Sequence, residues 1–229
     1  MTRLPLRARL RATQAAPLLA ALALAACAVP DAVAPLQRVA SATAAADRGG
    51  NGDNGNNGDR GNGNDASKIR DALGDFIPSY LGPHNADLDV REAQVRYDGR
   101  TFRFTSEAAG PIGITPTWLY VWGVDRGAGI ARFGPIAPGV TFDMVIATTG
   151  GIATVRDLTN GVATVLPASA VEVEGNELTI SVPAALLPSR GRTPEQFTVN
   201  LWPRSGAGGN EVIADFAPDN SMAPVRVKR

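Results

Sequence analysis

The chain has 229 residues, with 22 Lys and Arg set against 22 Asp and Glu, one His, one Cys and a formal net charge of zero. That balance offers no basic stripe for a nucleic-acid backbone. A single Cys and a single His exclude a disulfide within the chain and a multi-histidine or multi-cysteine metal site.

The first residues are basic: Arg3, Arg7, Arg9 and Arg11 precede any acid. An apolar run over 15–26 follows, AAPLLAALALAA. A dozen residues at about 1.5 Å each cannot cross a hydrocarbon core about 30 Å thick. A basic start, a short apolar stretch and small residues at its end predict a secretory signal peptide over 1–26.

Leu24-Ala25-Ala26-Cys27 ends that stretch and resembles the lipobox of bacterial lipoproteins. The resemblance implies cleavage before Cys27, a diacylglycerol on its thiol and an acyl chain such as palmitate on the new amino group. Several acyl chains at about 0.8 kcal/mol per buried CH₂ give stable anchoring. Ala28, in place of an acid, implies export to the outer membrane. Residues 1–26 hold four of the basic residues and none of the acidic ones, so the remainder has a formal charge of −4.

Residues 27–66 read as a linker. The run GGNGDNGNNGDRGNGND over 49–65 has almost nothing to bury and cannot offset its ordering entropy. Asp53, Asp59 and Asp65 recur every six residues there, but match neither an EF-hand loop nor a nonapeptide β-roll repeat. A flexible tether is the expectation.

Residues 67–229 read as one domain. A short helix is expected at 67–73, with Ser67 as N-cap and Gly74 ending it. Short alternating stretches then recur between Gly, Pro, Asn and Asp turns, which predicts strands. In 93–97 the odd positions are apolar; Asp98-Gly99 turns the chain; Phe102 and Phe104 alternate with Thr101, Arg103 and Thr105. The segment 118–124, WLYVWGV, is apolar on both faces, the pattern of a strand buried on both sides. Further strands are expected at 140–147, 152–155, 162–165, 171–173, 178–182, 197–202, 212–216 and 225–227, with a single helical turn at 184–187. The fold class is therefore all-β: one β-sandwich, jelly-roll or immunoglobulin-like, of about 8–10 strands.

Several short motifs in this domain form an order that resembles a known group. They are Gly74-Asp75-Phe76, Asp87-Leu88-Asp89-Val90, Tyr97-Asp98-Gly99, Leu119-Tyr120-Val121-Trp122-Gly123 and Val182-Pro183-Ala184-Ala185-Leu186-Leu187-Pro188. The order resembles the DOMON and family 9 carbohydrate-binding-module-like sandwiches. The resemblance implies ligand or sugar binding, calcium in some members and haem in some others.

Two sets of residues could carry chemistry. Asp71, Asp75, Asp87 and Asp89, with Asp219 near the end of the chain, could supply oxygens to calcium, which takes six to eight from loops remote in sequence. The alternative is that they cap turns. Trp118, Tyr120 and Trp122 share one strand face and could stack on a sugar ring, the alternative being core. Trp202 alternates against Phe197, Val199 and Leu201, so it faces away from that strand's core side. No G-x-S-x-G elbow or other catalytic signature occurs, so no enzymatic activity is expected. The expectation is a membrane-anchored, non-catalytic binding module in the cell envelope, its partner a carbohydrate or another envelope protein. A structural interaction lipoprotein without a small-molecule ligand is the alternative.

Overall fold

The computed structural model describes residues 68–227, and the expected signal peptide, Cys27 and the Gly/Asn/Asp run lie outside them. No α-helix occurs among the described residues. The strands are β1 (Ile69–Arg70), β2 (Val90–Tyr97), β3 (Thr101–Ala108), β4 (Leu119–Asp125), β5 (Ala131–Arg132), β6 (Thr141–Phe142) and β7 (Met144–Thr149). They continue with β8 (Ile152–Asp157), β9 (Ala163–Val165), β10 (Val171–Glu174), β11 (Glu177–Pro183), β12 (Thr198–Arg204), β13 (Ala223–Pro224) and β14 (Arg226–Val227).

Two six-stranded sheets form the sandwich. The first runs β1-β2-β3-β11-β10, with β14 pairing in parallel to β2; the second runs β13-β12-β4-β7-β8-β9. All other pairings in them are antiparallel, as expected for hairpins that keep one polar face. The alternation read in the sequence fixes the inward rows. Val95, Phe102, Phe104, Leu178, Ile180 and Val182 of the first sheet meet Trp122, Val124, Met144, Ile146, Val155 and Val199 of the second in one core.

A second core lies on the far side of the second sheet. The β5–β6 hairpin and the segment after β12 fold over it, placing Phe133, Val140, Phe142, Ile213 and Phe216 against Leu119, Val121 and Trp202. This cover explains why β4 is apolar on both faces: each face has its own core.

Three expectations change. The helix at 67–73 is not formed, because Ile69 and Arg70 pair with Ala93 and Glu92; one turn or two of helix has too little cooperativity to compete with a strand partner. The stretch 140–147 is split into β6 and β7 by Asp143, whose carboxylate turns inward to Arg126. The stretch 212–216 is not a strand; it follows a 3-10 turn, and only Ile213 bridges to Arg204.

Candidate functional site

Three chain segments meet at one end of the sandwich. Asp71 follows β1, and its amide donates to the Arg91 carbonyl at 3.2 Å. Gly74 adopts a left-handed φ of 81°, and its amide donates to Asp89 Oδ2 at 2.9 Å. That bond brings the Gly74-Asp75 turn onto Asp89, which ends the 3-10 turn Ala86–Leu88 and leads into β2. From the third segment, Asp215 accepts the Val90 amide at 2.9 Å through Oδ2 and the Phe216 amide at 2.7 Å through Oδ1. Asn200 holds the next loop by donating to the Pro218 and Ser221 carbonyls, and this loop carries Asp219.

The carboxylates converge in two overlapping groups. Asp71, Asp75 and Asp219 offer oxygens within 4.8 Å of one another, as do Asp75, Asp89 and Asp215. Asp75 belongs to both, so five acids surround one region. Asp215 is 1% exposed and Asp89 8%. Asp71 Oδ2, Asp75 Oδ1 and Asp89 Oδ1 are buried without a hydrogen-bond partner. The ion pairs seen among the described residues engage other carboxylates.

Burial and mutual repulsion hold Asp71, Asp89, Asp215 and Asp219 toward the neutral form. Burial, then the charges of Asp215, Asp75, Asp219 and Asp89, push the Asp71 carboxyl up to about 8. Burial, opposed by the Val90 amide and reinforced by Asp75, raises Asp215 to about 7. Asp89 and Asp219 are also raised, chiefly by burial and further by Asp75. Clustered carboxylates with orphaned oxygens require protons or a cation. The donor set is all oxygen, which suits a hard divalent ion and not zinc or copper. Oxygens on opposite sides of a calcium ion bound at about 2.4 Å lie roughly 4.8 Å apart, so the acids of either trio are close enough to share one ion.

Of the five acids singled out in the sequence, Asp71, Asp75, Asp89 and Asp219 come together and Asp87 does not. Asp87 is fully buried; its Oδ2 accepts the Thr115 amide at 2.7 Å and its Oδ1 the Thr115 hydroxyl at 2.8 Å. It sits in a 3-10 turn at about three residues per turn, so it does not share a side with Asp89 as alternate strand residues would. Asp215 was not foreseen. Its signal is an acid inside the apolar run Ile213-Ala214-Asp215-Phe216-Ala217.

The aromatic platform is corrected outright. Trp118, Tyr120 and Trp122 lie in the core between the sheets, and the Tyr120 hydroxyl donates to the Asp87 carbonyl. Trp202 does face away from the inter-sheet core, as its alternation requires, but it is 2% exposed beneath the second core. Its ring packs edge-on against Phe133 at 4.9 Å. None of the four presents a face to a ligand.

No protein-family model matches the chain, and no curated protein matches its sequence.

Proposed function

We propose that the chain is a membrane-anchored, non-catalytic β-sandwich binding module whose head holds a calcium ion. Asp71, Asp75, Asp89, Asp215 and Asp219 are the ligands. The carrying observation is the convergence of these carboxylates with three buried oxygens unpartnered. Such an arrangement is strongly unfavourable as a set of free anions, and an ion converts it into a clasp joining the start of the domain to its last loops. The Leu24-Ala25-Ala26-Cys27 lipobox and the Gly/Asn/Asp run after it support the anchor: a lipid on Cys27, a tether over 27–66, and a cell-envelope location at the outer membrane. The DOMON-like order of motifs supports the same reading of the head.

Thermal unfolding of the full chain in chelator and in millimolar calcium tests the metal. The midpoint should rise with calcium, and Asp75→Asn should remove the rise, because Asp75 belongs to both groups. An unchanged midpoint, with Asp75→Asn more stable than the parent in both conditions, would show that the acids share protons and hold no ion. The anchor is tested separately: Cys27→Ser should move the protein from the membrane fraction to the soluble fraction and abolish incorporation of labelled palmitate.

A further inference from the structure

The five acids at one end of the sandwich form two groups that share a member. Neither Asp71 nor Asp219 joins the trio of Asp75, Asp89 and Asp215, and neither Asp89 nor Asp215 joins the trio of Asp71, Asp75 and Asp219. Two oxygens bound to one calcium ion at about 2.4 Å are at most roughly 4.8 Å apart. Each trio meets that limit, and the five acids taken together exceed it.

The trio of Asp75, Asp89 and Asp215 is the deeper one. Asp215 holds the Val90 and Phe216 amides, and Asp89 Oδ2 holds the Gly74 amide. Asp89 is more than nine-tenths buried, and its other oxygen, Oδ1, has no partner. The trio of Asp71, Asp75 and Asp219 is shallower, because Asp71 is half-buried and Asp219 exposed. It too has an unpartnered buried oxygen of its own, Asp71 Oδ2. Asp75 serves both trios, and its Oδ1 is in the same condition. Charge bears on the number of ions. One divalent ion among five carboxylates leaves an excess of three negative charges at close quarters, whereas two leave an excess of one.

We propose, resting on the calcium reading above, that the head holds a second calcium ion, so that each trio has its own and the Asp75 carboxylate bridges the two. Ions that share ligands in this way stand roughly 4 Å apart, and the bridging negative charge offsets their repulsion. The inner ion joins the start of β2 to the segment after β12 through Asp89 and Asp215. The outer ion joins the end of β1 to the following loop through Asp71 and Asp219. Main-chain carbonyls and water complete the six to eight oxygens that each ion takes. Water reaches the outer ion beside the exposed Asp219 and screens its attraction to the carboxylates, so the outer ion is the weaker of the two.

Equilibrium dialysis of the purified full chain in detergent against labelled calcium, from micromolar to millimolar, counts the ions. The parent should bind two per chain in two steps. Asp219→Ala, a change at an exposed position, should abolish the weaker step and leave the tighter one. Asp71→Asn should weaken the weaker step alone, by about tenfold or more, since the charge count of the ligands sets the affinity. Asp75→Asn should weaken both steps. A parent that binds no calcium overturns this proposal together with the calcium reading. A parent that binds one ion overturns the second ion and leaves the calcium reading standing. Two ions with both steps untouched by Asp219→Ala and by Asp71→Asn would place the second ion elsewhere, and a single step weakened by Asp75→Asn would remove the bridge; either result overturns the proposal.

Discussion

The Asp215 carboxylate accepts the Val90 amide across 125 residues of chain, at 2.9 Å and out of contact with solvent. Val90 opens β2 in the first sheet, and Asp215 follows β12 of the second, so one side chain joins the two layers beside the acidic cluster. The same carboxylate carries an unfavourable charge and a needed acceptor, and two substitutions separate these roles. Asp215→Ala leaves the Val90 and Phe216 amides buried without partners and should cost about 2–4 kcal/mol, from roughly 1–3 for each orphaned donor less what relaxation recovers. Asp215→Asn keeps one of the two acceptors, turns an NH2 donor toward the other amide and removes the charge. In chelator its midpoint should lie between those of Asp215→Ala and the parent, and it should gain less from calcium than the parent does. Paired melts of the two variants check both halves.

The raised carboxyls give a pH dependence with a definite sign. Asp71 at about 8 and Asp215 at about 7 stand above their ordinary value near 3.8. The folded state therefore holds protons that the unfolded chain releases. Their favourable share of stability is complete below about pH 4 and is lost progressively as pH rises through about 7 to 8. In chelator the melting midpoint should fall between about pH 5 and about pH 8.5. Calcium competes with those protons, so its stabilising effect should grow over the same interval. A chelated midpoint that climbs from about pH 5 to about pH 8.5 contradicts the assignment.

At the other end of the second sheet, charge is buried with full compensation. Arg126 is wholly buried, its Nε 2.5 Å from Asp143 Oδ1 and its Nη2 2.9 Å from Asp157 Oδ1, with Nη1 donating to the Pro188 carbonyl. Burial pushes the Asp157 carboxyl up, but Arg126, Thr159 and Arg190 outweigh it and hold it well below the usual carboxylate range. Arg126→Met leaves the buried Asp143 without its guanidinium and Asp157 with Arg190 and Thr159 alone, and should destabilise the domain by about 3–5 kcal/mol. Arg126→Lys should recover only a part, since a point ammonium cannot reach three acceptors in fixed directions. Urea unfolding of both variants measures the difference.

How far the sequence reveals this molecule depends on the range of each signal. Alternation is local, so β2, β3 and β11 were legible, and the two apolar faces of β4 correctly implied burial on both sides. Alternation also placed Trp202 on the face opposite Val199 and Leu201. It could not show that the β5–β6 hairpin folds back over that face, because the cover comes from segments about 70 residues earlier and 10 residues later. Four of the five clustered acids were nameable from their loop positions. Asp87 and Asp215 exchanged roles because a 3-10 turn and a long-range amide bond decide them.

The burial of Trp202 makes a prediction opposite to that of a ligand platform. Its ring lies against Gly123 of the neighbouring strand, where an added Cβ would fall 2.5 Å from the indole and 3.2 Å from Phe142. The rigid indole and the Phe142 Cβ, fixed to its backbone, cannot withdraw from such a contact, so Gly123→Ala should destabilise by about 1–3 kcal/mol through overpacking. Trp202→Ala removes the centre of the second core and should cost about 3–5 kcal/mol. Combining Gly123→Ala with Trp202→Leu should cost less than the two single changes added together, since the smaller side chain vacates the space that the new methyl needs. Calcium should stabilise all of these variants as much as the parent, because neither residue belongs to the acidic cluster. Denaturant titrations of the singles and the double, each with and without calcium, measure the coupling. Strict additivity would mean that the ring does not press on Gly123, and the second core would then owe its order to the hairpin alone.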